Sequence, residues 1–161
     1  MKKSFILLAV SLLGMTAFGQ VKNQHALGAR LGGGNTFGSQ VTYQYGLSNY
    51  NRIEADLGFH SNNDGNGFIL AGAYQWVWAI ENGFNWYAGP AASLGSWSYN
   101  SKYDGSGDSG AYLGLGGQIG IEYNFVEVPL NMSIDSMPLF GFGSTNQHFS
   151  MGLSLSLRYT F

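Results

Sequence analysis

The sequence predicts an all-β protein, an antiparallel eight-stranded up-and-down transmembrane β-barrel. Three observations carry that reading. First, Phe149, Met151, Leu153, Leu155, Leu157, Tyr159 and Phe161 fall at every second position, and all are apolar. Between them lie Ser150, Gly152, Ser154, Ser156, Arg158 and Thr160, none of them a hydrophobe. Successive side chains of a strand point to opposite faces, so this run has one greasy face and one polar face. It is longer than the roughly five or six residues usual in a globular strand, and a tilted strand needs about nine to eleven to cross a bilayer. Second, the connections between such runs alternate between short and long. Third, the aromatic residues gather at two levels along the runs.

The chain opens on Met1-Lys2-Lys3, a short positive stretch, followed by an apolar run from Phe5 to Leu13 broken only by Ser11. Thr16-Ala17-Phe18-Gly19 then places small residues before a cleavage point. This pattern predicts a secretory signal peptide over residues 1–19, since the apolar run is too short to span a membrane as a helix. The barrel domain is then 20–161, about the length of one domain. The sequence contains no cysteine, so an exported chain of this size is not a disulfide scaffold. Without Lys2 and Lys3, five basic residues face nine acidic ones. That net of about −4, with no basic patch, argues against nucleic acid as a partner. Charged residues make up 10 % and aromatics 16 %, with 25 glycines against three prolines, which suits lipid outside and a crowded interior. The longest other apolar run, Phe68 to Ile80, contains Gln75 and is too short for a membrane-crossing helix. Membrane residence would therefore require a closed barrel, which satisfies every backbone group.

Eight segments read as strands. From Ala26 to Gly34, Leu27, Ala29 and Leu31 oppose Gly28, Arg30 and Gly32. From Phe37 to Leu47, Phe37, Val41, Tyr43, Tyr45 and Leu47 oppose Gln40, Thr42 and Gln44. Between Arg52 and His60, Ile53, Ala55, Leu57 and Phe59 oppose Arg52, Glu54, Asp56 and His60. The segment Phe68 to Ile80 is apolar on both faces. Phe68, Leu70, Tyr74, Trp76 and Trp78 are placed outward, because Ala71 and Ala73 suit a crowded lumen. From Phe84 to Leu94, Phe84, Trp86, Ala88, Ala92 and Leu94 face lipid, and Pro90 is a mark against a central strand. From Ala111 to Phe125, Leu113, Leu115, Ile119, Ile121 and Tyr123 oppose Gly114, Gly116, Gln118, Gly120 and Glu122. The seventh, Val128 to Met137, sets Leu130, Met132 and Ile134 against Asn131, Ser133 and Asp135. The eighth is the run ending at Phe161.

Ser48 to Asn51, Glu81 to Gly83 and Asn124 to Glu127 are tight connections. Gly33 to Thr36, Ser61 to Asn66, Ser96 to Ser109 and Pro138 to Gln147 are mostly longer and rich in Gly, Ser and Asn. Membrane barrels have short turns at one end and long loops at the other. Tyr45, Trp76, Trp78, Phe84, Trp86, Tyr123, Tyr159 and Phe161 fall near the turn end, and Phe37, Phe59, Phe68 and Phe149 near the loop end. Two such girdles mark the two lipid–water interfaces.

The ending Leu155-Ser156-Leu157-Arg158-Tyr159-Thr160-Phe161 resembles the terminal strand of bacterial outer-membrane β-barrels. In that family it is the signal read by the barrel-insertion machinery, which implies that role for Tyr159 and Phe161. Trp86-Tyr87-Ala88-Gly89-Pro90-Ala91-Ala92 is similar to the family as well. So is Gly120-Ile121-Glu122-Tyr123-Asn124-Phe125, followed by Pro129-Leu130 and Asp135. Over its whole mature length the chain resembles the small eight-stranded barrels of the OmpA/OmpX type. The resemblance implies a monomer in the outer membrane of a Gram-negative bacterium, with lipid and lipopolysaccharide around it. It does not settle function, because the family holds structural, adhesive and lipid-modifying members.

The phase places Arg30, Arg52, Glu54, Asp56, Glu122, Asp135 and Arg158 in the lumen. An eight-stranded barrel is just wide enough for side chains to fill. Unpaired charges there are costly, so the expectation is a paired plug completed by Gln44, Gln75 and Gln118. Arg30 or Arg158 is expected to meet at least one of Glu54, Asp56 and Glu122. A narrow polar or proton path is the alternative use of the same charges. His148 and Ser150 share a strand face and resemble the His-x-Ser of lipid A deacylase barrels, but no Glu follows in this strand and Ser150 falls on the lumen side. Asp104-Gly105-Ser106-Gly107-Asp108 starts like a calcium loop but lacks the distal Glu. Trp97, Tyr99, Lys102 and Tyr103 make the same loop the favoured contact surface. His25, His60 and His148 are too scattered to read as a metal site, and no cofactor is expected. The function expected is a non-enzymatic surface protein contributing to envelope integrity or contact. A lipid A-modifying hydrolase and a small-solute pore are the alternatives.

Overall fold

The computed structural model describes residues 25–32, 38–62, 65–99, 109–143 and 148–161. The signal segment 1–19, Phe37, and the loop residues Lys102, Tyr103 and Asp104 to Asp108 lie outside the described residues, as do the side chains of His60, Tyr99 and His148. Every described element is a strand: β1 (His25–Gly32), β2 (Ser39–Gly46), β3 (Asn51–Asn62), β4 (Gly65–Glu81), β5 (Phe84–Tyr99), β6 (Ser109–Asn124), β7 (Leu130–Ser136), β8 (Leu139–Gly143), β9 (His148–Ser150) and β10 (Leu153–Thr160).

Each strand pairs antiparallel with its neighbours, from β1 through β7, and β7 then pairs with β10. The sheet closes where β10 meets β1, from Ala26 opposite Thr160 to Gly32 opposite Ser154. His25 and Phe161 exchange two further backbone hydrogen bonds, at 3.2 and 2.9 Å, at the end of that seam. The ten segments form eight walls. β6 pairs with β7 at Ile119–Ser136 and with β8 at Gly116–Leu139 without a change of register. The pairings Ser136–Leu153 and Leu139–Ser150 likewise carry β9 into β10 in one register. The break falls beside Pro138, which has no N–H to give the ladder, although its carbonyl still accepts from Gly117 at 3.1 Å.

Pro90 behaves differently from the sequence expectation. β5 is a central strand that runs through it, and Pro90 pairs with Gly117 of β6. The cost appears on the other side, where the β4–β5 pairing jumps from Ala73–Ala91 to Trp76–Ala88. Three expected loops are also shorter than the sequence suggests. β3 and β4 stay paired to Asn62–Gly65, β5 and β6 to Ser98–Ser109, and β8 occupies part of the stretch from Pro138 to Gln147. Beyond the lipid a strand can be polar on both faces, so the alternation ends before the hydrogen bonding does. At the other end Asn82 and Gly83 both take positive φ, 50° and 90°, as a two-residue hairpin requires.

The side chains are distributed inside out. Phe59 and Leu153 are 71 % and 66 % exposed, whereas Arg158 is 0 % exposed. An apolar outside around a polar inside is the arrangement of a barrel whose outer solvent is lipid. The two-faced β4 follows the same phase: Ile69, Ala71, Ala73, Gln75 and Val77 are buried, while Phe68, Leu70 and Trp76 face out. Aromatic pairs gather at the turn end, with Trp78 stacked on Trp86 at 4.2 Å and Phe84 tilted against Tyr123 at 4.6 Å between ring centres. Phe140 and Phe149 meet at 5.1 Å at the loop end.

Inside, large residues of β5 and β6 face glycines across the ladder. Tyr87 lies opposite Gly120, Trp97 opposite Gly110, and Tyr112 opposite Gly95. A Cβ on Gly120 would stand 2.6 Å from both the Tyr87 ring and the Cβ of Asp135, closer than real contacts allow. Gly38, by contrast, has open space around that position. Gly120→Ala should therefore destabilise the barrel by about 1–3 kcal/mol through overpacking, and Gly38→Ala should stay within about 0.5 kcal/mol of the parent. Urea unfolding in lipid vesicles, followed by tryptophan fluorescence, measures both.

Candidate functional site: the charged lumen

The inward positions of β1, β3, β6, β7 and β10 bring Arg30, Arg52, Glu54, Asp56, Glu122, Asp135 and Arg158 together, none more than 5 % exposed. Glu54 is the centre. Its Oε1 accepts from Nη1 of Arg30 at 2.9 Å and from Nε2 of Gln118 at 2.7 Å. Its Oε2 accepts from Nη2 of Arg158 at 2.8 Å and from Nε2 of Gln44 at 2.6 Å. A carboxylate has about four lone-pair sites, and these four donors fill them.

Arg30 extends the network to Asp135 through Nη2, and Asp135 also accepts from the Tyr87 hydroxyl at 3.2 Å. Arg158 spends its other donors on Ser133, Asn131 and Thr42, at 2.8, 3.4 and 3.2 Å. Arg30 and Arg158 sit on paired strands, and the shared Glu54 reaches both from across the lumen.

A second unit lies nearer the turn end. Nη1 of Arg52 is 2.7 Å from Glu122, and its guanidinium carbon lies 4.8 Å from the centre of the Tyr87 ring. Glu122 also accepts from Asn85 and Asn131, at 3.1 and 3.2 Å. Gln75 joins the two units by accepting from Nε of Arg52 and donating to Gln118 at 2.7 Å. A cavity of about 290 Å³, bordered by Gln44, Asn124, Asn131 and the turn Phe125 to Pro129, opens below this unit and is lined at its floor by Arg52 and Glu122. Toward the loop end, the next inward positions of β4, β5 and the β7–β8 wall are Ala71, Ala73, Ala91, Met137 and Leu139, an apolar cluster. The lumen is thus filled twice, by paired charge and then by hydrocarbon.

The architecture has counterparts among solved structures. Neisserial surface protein A superposes with a TM-score of 0.59 at 16 % identity, over 85 % of this chain and 94 % of that one. The N-terminal β-barrel domain of Pseudomonas aeruginosa OprF gives 0.50 at 16 % identity, over 86 % and 100 %. The fold is that of the small outer-membrane β-barrels. No family model and no curated protein sequence matches the chain.

Other candidates from the sequence are placed apart from the network. Ser150 pairs with the buried, inward-facing Leu139, so it lies on the lumen register. Tyr159 and Phe161 are 55 % and 60 % exposed on the outer face, where the Phe161 ring stacks on His25 at 5.4 Å. Among the described residues no cluster of acids and histidines is arranged to hold a metal ion. Asn85, Tyr87 and Asn131 are partners of the charges that the sequence pattern alone does not single out. The signal was present for all three, because each occupies an inward position of its strand.

Glu54→Ala should leave Arg158 without a carboxylate in a buried place, a loss of about 3–5 kcal/mol. Asn124→Ala, at the edge of the network, should cost under about 1 kcal/mol. The urea midpoint of each variant in vesicles checks the ranking.

Proposed function

We propose that this chain is a non-enzymatic outer-membrane protein of a Gram-negative bacterium, acting through its outer surface and loops in envelope integrity or contact. The lumen supports this reading most directly. Three guanidiniums and their carboxylates fill it in mutual contact, with an apolar layer beyond, which favours a plug over a solute path. The likeness to a neisserial surface protein is in keeping with a surface role. In this reading the turn end faces the periplasm and the loops face outward. The chain is a monomer surrounded by lipid and lipopolysaccharide, and the signal peptide 1–19 directs its export. Tyr159 and Phe161 serve the insertion machinery at the strand that also closes the seam. The lumen-side register of Ser150 disfavours the lipid A hydrolase reading, since a lipid substrate arrives from outside the barrel.

Planar-bilayer recording tests the plug. The wild-type protein should show no steady open conductance, and Arg158→Ala or Glu122→Ala should produce one. Steady ion-selective conductance in the wild type would refute the reading. In parallel, lipid A from a host expressing the protein should keep its mass, with and without Ser150→Ala.

A further inference from the structure

Among the described residues the lumen holds three guanidiniums and four carboxylates, all buried, with Arg52 and Glu122 at the edge of the cavity near the turn end. Three of the acids are well supplied. Glu54 has two arginines and two amides, Glu122 has Arg52 and asparagines, and Asp135 has Arg30, Gln118 and Tyr87. Asp56 is different. It is 1 % exposed, and among the described residues no side chain is set at hydrogen-bonding geometry to either of its oxygens. Its only ion pair among the described residues is a 3.5 Å contact with Arg30, whose guanidinium is already engaged by Glu54 and Asp135. Thr42, directly across the ladder on β2, accepts from Arg158 through its hydroxyl oxygen, so its single O–H is the one neutral donor left beside Asp56. Glu54, on the same face of β3, adds a second negative charge, and Arg158 of β10 is committed to it. A fourth ionised acid would therefore rest on one 3.5 Å contact with a guanidinium that two other carboxylates already hold, a poorly compensated buried charge of the kind that proteins avoid by neutralising the group.

We propose that Asp56 is the lumen's proton-binding site: the folded barrel takes one proton from water and holds it on the Asp56 carboxyl, bringing the network to three charges of each sign. The proton stays on one oxygen and no bond other than that O–H forms. This goes beyond the plug reading, because a lumen that conducts ions could carry the same proton.

The test is infrared spectroscopy of the full chain folded in phosphatidylcholine vesicles at neutral pH, with aspartate labelled at its side-chain carboxyl carbon. The expected result is one carboxylic-acid carbonyl band that shifts with the label and disappears in Asp56→Asn. The band should also disappear in Glu54→Gln, where Asp56 is still present but the sign count is already balanced. Asp56→Asn should keep the urea midpoint of the wild type, since an amide replaces a neutral acid of the same shape. Absence of a labelled acid band in the wild type would overturn the proposal whether or not the variants fold. So would a band that survives Asp56→Asn. A midpoint that rises with sodium in place of choline, without an acid band, would assign the site to a metal cation and overturn it equally.

Discussion

The four-donor environment of Glu54 is the interaction on which the rest of the structure depends. A membrane barrel spends most of its hydrophobic residues on lipid, and here only a small cluster of alanine, methionine and leucine is left between the walls. The interior must hold the walls together with polar groups, and buried polar groups stabilise only when their partners are complete. Glu54 links β1, β2, β6 and β10 to β3 in one stroke, through Arg30, Gln44, Gln118 and Arg158. Removing the shared carboxylate would bring the two neighbouring arginines into direct repulsion. Its presence is why two like charges can sit on paired strands at the closing seam.

The packing around this centre follows from the same shortage of space. Gln75 and Gln118 connect the Glu54 and Glu122 units because an amide can donate and accept at once, which no charged group can do. Glycines of β6 make room for Tyr87 and Trp97, so one wall is thin where the next is thick. Above the amides the lumen changes to alanine, methionine and leucine, where no arginine reaches. The two prolines at Gly117 weaken the ladder between the apolar ends without opening it, since Pro138 keeps its carbonyl bond and Pro90 keeps its register on β6.

Much of this was legible in the sequence, for physical reasons that differ by element. The phase of β3 and β10 was clear because alternate residues must satisfy opposite solvents, so Glu54, Asp56 and Arg158 could be placed inside by counting. β4 was harder, since both its faces are apolar; only the small size of Ala71 and Ala73 favoured the phase that the fold adopts. Strand ends were misjudged toward the loops, where nothing in the sequence distinguishes a paired polar residue from an unpaired one. The sharing of Glu54 by two arginines was not legible, because it depends on stagger between walls. Nor was the weak partnering of Asp56, which shows only once the arginine donors have been assigned to the other acids.

The central claim is that Glu54 and Arg158 stabilise the barrel as a pair, across the lumen. A double-mutant cycle of Glu54→Leu and Arg158→Leu, read by urea unfolding in vesicles, measures that coupling directly. The account predicts that each single change is strongly destabilising and that the double variant recovers a coupling energy of about 2–3 kcal/mol. Additive losses, with coupling below about 0.5 kcal/mol, would contradict it.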